Sequence, residues 1–245
     1  MRRLRMVAGP NGSGKSTLIR YLRETFPEHF LGPYVNADDL KRQLEAGDVS
    51  LEDYGLTATL DDVARALHDH PLVHKSGKPL GLHGEGSRVG FDHPTTYHAA
   101  AFADYLRRTL LATGETFAFE TVMSHASKVA FLDKARAHGY RVYLYFIATG
   151  DARLNVERVG QRVRGGGHDV PAHKIIERYT KTMELLRPAL RASDRAYLFD
   201  NSGTKRVYLA DVTEGSLITL HAESVPDWFV RYVGLPPGDA KKQEG

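Results

Sequence analysis

The sequence has 245 residues, of which 26% are charged and 42% hydrophobic, proportions that suit one large folded domain or two small ones and exclude a largely disordered chain. Its 33 Lys and Arg against 30 Asp and Glu leave a formal charge of +3, too small an excess to argue for nucleic acid on its own. With no cysteine there is no disulfide scaffold, cysteine nucleophile or thiolate metal site, and no apolar run approaches the roughly 18 residues that span a bilayer.

The opening stretch, MRRLRMVAGPNG, has no long apolar region, so no secretory signal is expected and the chain reads as cytoplasmic. Leu4 to Ala8 is a short apolar run that enters a Gly-rich turn. Ser16 to Arg23 follows as a helix, with Leu18, Ile19, Tyr21 and Leu22 apolar. Tyr34–Val35 is a brief strand ending at Asn36-Ala37-Asp38-Asp39, and a helix runs through Leu40 and Leu44 to Ala46 before Gly47. Residues 50–94 break the rhythm. A short helical pattern, Leu60 to Leu67, precedes a Gly-, His- and Pro-rich run, GKPLGLHGEGSRVGFDHP, and the whole reads as a flexible insertion.

Thr95 to Leu111 has helical spacing and stops before Gly114. Phe117 to Glu120 is a short strand, and Ala126 to His138 a helix ended by Gly139. Tyr140 to Ala148, YRVYLYFIA, is aromatic, β-branched and apolar nearly throughout, the mark of a strand buried on both faces of a parallel sheet. A helix from about Asp151, another over Pro171 to Leu190, and strands at Arg195–Phe199, Arg206–Leu209 and Leu217–Leu220 complete the chain. This alternation predicts an α/β fold, a parallel β-sheet flanked by helices. It is expected as one domain over 1–225, with 226–245 as a C-terminal extension and polar tail.

Gly9-Pro10-Asn11-Gly12-Ser13-Gly14-Lys15-Ser16 satisfies every fixed position of the G-x-x-x-x-G-K-[ST] phosphate-loop pattern, and lies between a strand and a helix as that pattern requires. The glycines let successive backbone N–H groups turn inward as an anion nest, to which the helix N-terminus adds its positive dipole end. In such a loop Lys15 reaches the β- and γ-phosphates of ATP, Ser16 Oγ sits on Mg²⁺, and Thr17 continues the binding segment. The LSGGQ-like signature and the Asp-Glu-closed hydrophobic run of transporter-type ATPases are missing, as is the NKxD-type sequence of GTPases. Elimination favours a small kinase with a P-loop NTPase fold.

Other residues admit two readings each. Asp38 and Asp39 follow a strand at the sheet edge where ligands bind; one of them serves as a proton acceptor for a hydroxyl, or they cap the next helix. Glu120 closes the apolar run FAF as a Walker-B-like acid, or is a strand-end carboxylate satisfied locally. Arg158, Arg162 and Arg164 precede Gly165-Gly166-Gly167: a lid over 158–171 that brings guanidinium forks to a transferring phosphoryl group, or a solvated basic helix end, with the glycines favouring the lid. Asn201 lies in a turn-forming run or beside adenine. The insertion's histidines, among them His68, His70, His74, His83 and His93, match no familiar metal-site spacing.

The phosphate loop near residue 10, VNADDL at 35–40, FAFETVMSH at 117–125, RVGQRVRGGGHDVP at 158–171, the run ERYTKTMELL and DRAYLFDNS at 194–202 together resemble the zeta-toxin-like P-loop kinases. The resemblance covers most of 1–205 apart from the insertion. It implies phosphorylation by ATP and Mg²⁺ of a hydroxyl on a nucleotide sugar such as UDP-N-acetylglucosamine, with Asp38 as catalytic base and Asp39 as cap. It further implies Lys15, Arg158 and Arg162 on the transferring phosphoryl group, Glu120, Thr121 and Arg164 on the acceptor side, and the insertion as an acceptor-side loop. Its partners would be the small-molecule acceptor and a protein antitoxin, without membrane or nucleic acid. Where the classical toxins continue with a glycine and a further arginine, this chain has Thr121-Val122-Met123-Ser124. A polynucleotide kinase and an ATP-dependent binding switch are the competing readings.

Overall fold

The computed structural model describes residues 1–165 and 169–234; Gly166, Gly167 and His168 of the expected lid, and the tail from 235, lie outside the described residues. Strand β1 (Arg3–Ala8) leads through the Gly-rich turn into α1 (Lys15–Thr25). Then come β2 (Tyr34–Val35), α2 (Ala37–Ala46), β3 (Asp48–Ser50), α3 (Leu60–Leu67), α4 (Pro71–Ser76), β4 (Leu82–His83), β5 (Arg88–Phe91), α5 (Thr96–Thr113) and β6 (Phe117–Thr121). The remaining elements are α6 (Ser127–Ala137), β7 (Arg141–Ala148), α7 (Ala152–Arg164), α8 (Ala172–Glu184), α9 (Leu186–Arg191), β8 (Arg195–Asp200), β9 (Val207–Thr213), β10 (Leu217–Leu220) and α10 (Asp227–Tyr232). They fall into two compact units, one of Met1–Phe30 with Thr121–Gly245 and one of Leu31–Glu120.

In the first unit the strands lie in the order β10-β9-β8-β7-β1. The apolar run of β7 is parallel to β1 on one side, with Met6 opposite Leu144, and to β8 on the other, with Leu144 opposite Ala196. Leu144 to Ala148 are all buried, as a strand covered on both faces must be. Beyond β8 the sheet turns antiparallel, β9 against β8 and β10 against β9. The short links 201–206 and 214–216 leave no room for the crossover that parallel pairing needs, so the parallel sheet expected from the alternation, present in β1, β7 and β8, gains antiparallel strands at this end. The helix expected over 171–190 is broken at Leu185. Pro188 explains the break, because it has no N–H for the carbonyl of Glu184 and its ring crowds that group. Residues 227–232, expected only as part of an extension, form α10 and bury Trp228 and Phe229, the former 6.2 Å from the Phe146 ring between centroids.

In the second unit β2 and β6 pair in parallel, with Tyr34 opposite Ala118, while β3, β5 and β4 form a separate antiparallel sheet. Helices α2, α3 and α4 pack on α5. Residues 50–94 are therefore not the loop expected of them: Leu51, Leu56, Val63, Leu67, Val89 and Phe91 are buried. Of their elements only α3 shows a period in the sequence, over Leu60 to Leu67; the others are too short. Several histidines have structural work here. His70 Nδ1 accepts the N–H of Leu72 at 3.2 Å and caps α4. The buried His98 shares a reciprocal cap with Thr95 and lies 2.9 Å from Ser76 Oγ, and burial holds its pKa below the usual imidazole value. Among the described residues no three His, Asp or Glu side chains gather as a metal site.

Asp104 on α5 gathers three donors: Arg107 at 2.9 Å, Arg108 at 2.6 Å and His70 at 3.5 Å. Arg107 is only 5% exposed and lies over the Phe119 ring, so its charge has little water to fall back on. Asp104→Ala is expected to destabilise the protein by about 3–5 kcal/mol, since it strands a buried guanidinium. Arg108→Ala, at the exposed end of the cluster, should cost no more than about 1 kcal/mol in the same urea titration.

Candidate nucleotide-binding site

The turn after β1 is built where side chains do not fit. Gly9 (φ 153°) would place a Cβ 2.0 Å from the carbonyl oxygen of Ile147 on β7; Gly12 (φ 75°) would place one 2.8 Å from Asn155 O on α7. At Gly14 (φ 101°) a Cβ would lie 2.5 Å from the Asn201 side-chain nitrogen. Each position combines a left-handed backbone with a close neighbour, so glycine is required twice over. Gly14 caps α1 without a side-chain hydrogen bond, and no acidic residue stands in the helix's first turn. The first N–H groups of α1 are thus left to an anion.

Lys15 is 8% exposed and donates to the carbonyls of Gly9 at 3.0 Å and Pro10 at 2.9 Å, which bends the loop around its ammonium group. Ser16 and Thr17 are exposed at the helix start. Two buried donors at the loop, Ser13 Oγ and Asn155 Nδ2, have no partner among the described residues. A glycine cradle, an ammonium group, an open helix end and orphaned donors make a set that fits the phosphates of a nucleotide. A cation here would rest on Ser16 Oγ, phosphate oxygens and water, the usual arrangement for Mg²⁺.

Two asparagines hold the loop from outside. Asn155 is fixed by Thr149 Oγ1, which donates to its Oδ1, and the Thr149 carbonyl accepts from Tyr179 OH on α8 at 2.7 Å. Asn201, at the end of β8, donates its amide to Ser13 O at 2.8 Å; its position is against the loop backbone. Arg158, expected as a lid sensor, donates to the carbonyls of Asn201 at 2.6 Å and Gly203 at 3.3 Å. Arg162 and Arg164 are exposed on the last turn of α7. Asn155, Thr149 and Tyr179 were missed in the sequence, because a polar residue that braces a loop belongs to no spacing rule.

The acidic candidates Asp38 and Glu120 belong to the second unit. The cap of α2 is Asn36, whose Oδ1 accepts the N–H of Asp38 at 2.9 Å; Asp39, expected as the cap, instead pairs with Arg42 one turn on. Asp38 is exposed. Glu120 Oε2 accepts from Tyr34 OH at 2.8 Å and from Asn36 Nδ2 at 3.4 Å, so one asparagine ties the helix that carries Asp38 to Glu120. Burial and the Glu120 carboxylate together push the Tyr34 hydroxyl well above its ordinary pKa. In the first unit Thr121 Oγ1 accepts the N–H of Met123 at 3.1 Å, and Thr182 on α8 donates to Val122 O at 2.8 Å.

Sheet, loop and helix define a P-loop protein of the α/β class. Residues 94–213 match the family model described as zeta toxin. No curated protein sequence matches the chain. A crystal structure of an AvrRxo1-ORF1:AvrRxo1-ORF2 complex with sulphate ions superposes with a TM-score of 0.52 at 14% identity, over 90% of this chain and 61% of that one. The complex with ATP gives 0.53 at 14% identity, with the same coverage. A structure from the PezAT chromosomal toxin–antitoxin system of Streptococcus pneumoniae gives 0.52 at 13% identity, over 99% of this chain and 82% of that one. At these identities the likeness is one of fold, and the chain spans 61% of the AvrRxo1 chain it matches. Among the described residues no helix is long and apolar enough to cross a membrane.

Gly9→Ala should abolish nucleotide binding in calorimetry and cost more than about 2 kcal/mol of stability, because strain and a carbonyl clash coincide there. Gly203→Ala, with open space around its Cβ, should change stability by less than about 0.5 kcal/mol.

Proposed function

We propose that this protein is an ATP-dependent kinase that phosphorylates a hydroxyl group of a nucleotide sugar such as UDP-N-acetylglucosamine. The observation that carries the reading is the phosphate loop, with three glycines pressed against neighbouring backbone or side-chain atoms and Lys15 buried at its centre. Gly9 to Thr17 hold the phosphates, and Ser16 holds Mg²⁺, which when bound offsets charge on the β- and γ-oxygens. Asp38 is exposed and accepts the proton of the acceptor hydroxyl as its oxygen forms a bond to the γ-phosphorus. The bond from that phosphorus to the β–γ bridging oxygen breaks, and ADP leaves. Lys15 and Arg162 stabilise the charge spread over the transferring group. Arg158, bound to two backbone carbonyls, acts by holding α7 to the 201–203 turn.

The acceptor class rests on the zeta-toxin likeness of residues 94–213, with Glu120, Thr121 and Arg164 on the acceptor side. A protein antitoxin is the partner this likeness suggests, since PezAT is a toxin–antitoxin system. The protein works in the cytoplasm, where nucleotide sugars are found.

The test is phosphorus NMR and mass spectrometry of Mg·ATP with a panel of nucleotide sugars. The parent chain should form a new phosphomonoester on a nucleotide sugar. Lys15→Ala and Asp38→Ala should each lose about 100-fold or more of that rate, and chelation of Mg²⁺ should abolish it. ATP turnover with every sugar unmodified would overturn the acceptor; a parent chain that does not bind ATP would overturn the kinase.

A further inference from the structure

The carboxyl end of β8 carries a layer of the nucleotide site that the phosphate-loop motif does not contain. Asp200 is 9% exposed, and its carboxylate accepts from Trp228 Nε1 at 2.8 Å, Ser202 Oγ at 2.7 Å and the Ser202 N–H at 2.9 Å. Ser202 Oγ in turn accepts the N–H of Gly150, just past β7, at 2.8 Å. Between these anchors Asn201 is fixed on three sides: its N–H donates to Ala148 O, its carbonyl accepts from Arg158, and its amide reaches Ser13 O. The three donors on Asp200 are an indole, a hydroxyl and a backbone amide, all neutral. A buried carboxylate is costly unless its lone pairs are satisfied, and here they are spent on ordering one turn.

That turn sets the direction of a phosphate-loop peptide. The Ser13–Gly14 unit is planar and trans, so its C=O and N–H point to opposite sides. With the Ser13 oxygen bound to Asn201, the Gly14 N–H is turned away from Asn201. A peptide that flips loses one donor of an anion nest, which works only when successive N–H groups converge.

We infer that Asp200 is a positioning residue for nucleotide binding: by ordering the 201–203 turn it holds Asn201 on Ser13 O and thereby sets the orientation of the phosphate loop, with Trp228 coupling α10 to the same turn. The inference rests on the nucleotide-binding reading above. It gives α10 a role in the site, and it gives Asn201 a role independent of the nucleotide's base. It also makes Trp228 a reporter, because it is the sole tryptophan of the chain and its indole N–H ends on the carboxylate that anchors the turn.

The experiment is calorimetric titration of the full chain with Mg·ATP, beside the fluorescence of Trp228. The parent should bind with a change in tryptophan emission. Asp200→Ala, Ser202→Ala and Asn201→Asp should each weaken the dissociation constant by about tenfold, the scale of one well-placed hydrogen bond. Asn201→Asp is the discriminating variant: it keeps the volume of the side chain but replaces the donor facing Ser13 O with an acceptor. In Ser202→Ala the emission change should vanish, although Trp228 still meets Asp200. Should Asp200→Ala fail to fold, the two variants at the half-exposed positions 201 and 202 carry the test. A parent that binds Mg·ATP while Ser202→Ala and Asn201→Asp bind within twofold of it overturns this inference alone. A parent that binds no nucleotide overturns the nucleotide reading with it.

Discussion

The approach of the phosphate loop to its neighbours is the constraint on which the rest of the site depends. A loop that presents backbone N–H groups to an anion has to turn them all inward, which requires left-handed residues, and its glycines then have no side chains with which to anchor it. The surrounding structure supplies the anchors. Ile147 O stands where a Cβ of residue 9 would be, Asn155 where one of residue 12 would be, and Asn201 where one of residue 14 would be. These three belong to β7, to α7 and to the end of β8. The parallel register of β1, β7 and β8 brings them to one edge, so the sheet topology is a condition of the loop's geometry and not merely its support.

Electrostatics works in the same direction. The Lys15 ammonium is buried and donates to two loop carbonyls. With α1 starting free of any acidic side chain, the Lys15 ammonium and the positive dipole end of the helix meet at the loop. Burial raises the strength of that field, because less water screens it. A polyphosphate brings charge of the opposite sign. Arg158 is a contrasting case: it donates to two backbone carbonyls, and so contributes rigidity between α7 and the 201–203 turn.

How much of this could be read in advance follows from what each feature demands of the sequence. The phosphate loop was legible because backbone recognition forces residue types at fixed positions. The strand 141–148 was legible because burial on both faces leaves almost no polar residue in it, and α5 because Thr95 and Gly114 mark its ends. The braces Asn155, Tyr179, Asp200 and Trp228 were not legible, since their roles depend on tertiary contacts that no spacing rule encodes, such as Tyr179 on the Thr149 carbonyl and Trp228 on Asp200. The unit around 50–94 was hidden for another reason. Apart from α3, which the Leu60 to Leu67 pattern marks, its strands and helices run two to six residues, so Val73, Val89 and Phe91 give no sustained period, and its glycines and histidines read as loop. The cap on α2 shows a local version of the limit: Asn36, Asp38 and Asp39 are all good caps by type, and the backbone selects Asn36.

The same distinction separates the two halves of the proposed reaction. Phosphates are held by backbone, which every P-loop protein must shape in one way, whereas an acceptor is held by side chains that differ with the molecule held. The segment after β6 shows the consequence. Met123 is buried with φ +58°, a left-handed conformation that costs a residue with a Cβ about 1–2 kcal/mol. It persists because the neighbouring groups over-determine it: Thr121 Oγ1 takes the Met123 N–H, and Thr182, itself fully buried, takes the Val122 carbonyl. A chain with glycine there would reach this conformation without the strain and without needing either threonine. Thr121-Val122-Met123-Ser124 is thus a coherent alternative to a glycine-containing turn, fixed by its own hydrogen bonds, and it departs from the classical toxins at the stretch that the family likeness associates with the acceptor. Acceptor choice is therefore the property on which this chain has the most freedom to differ from proteins that share its phosphate loop.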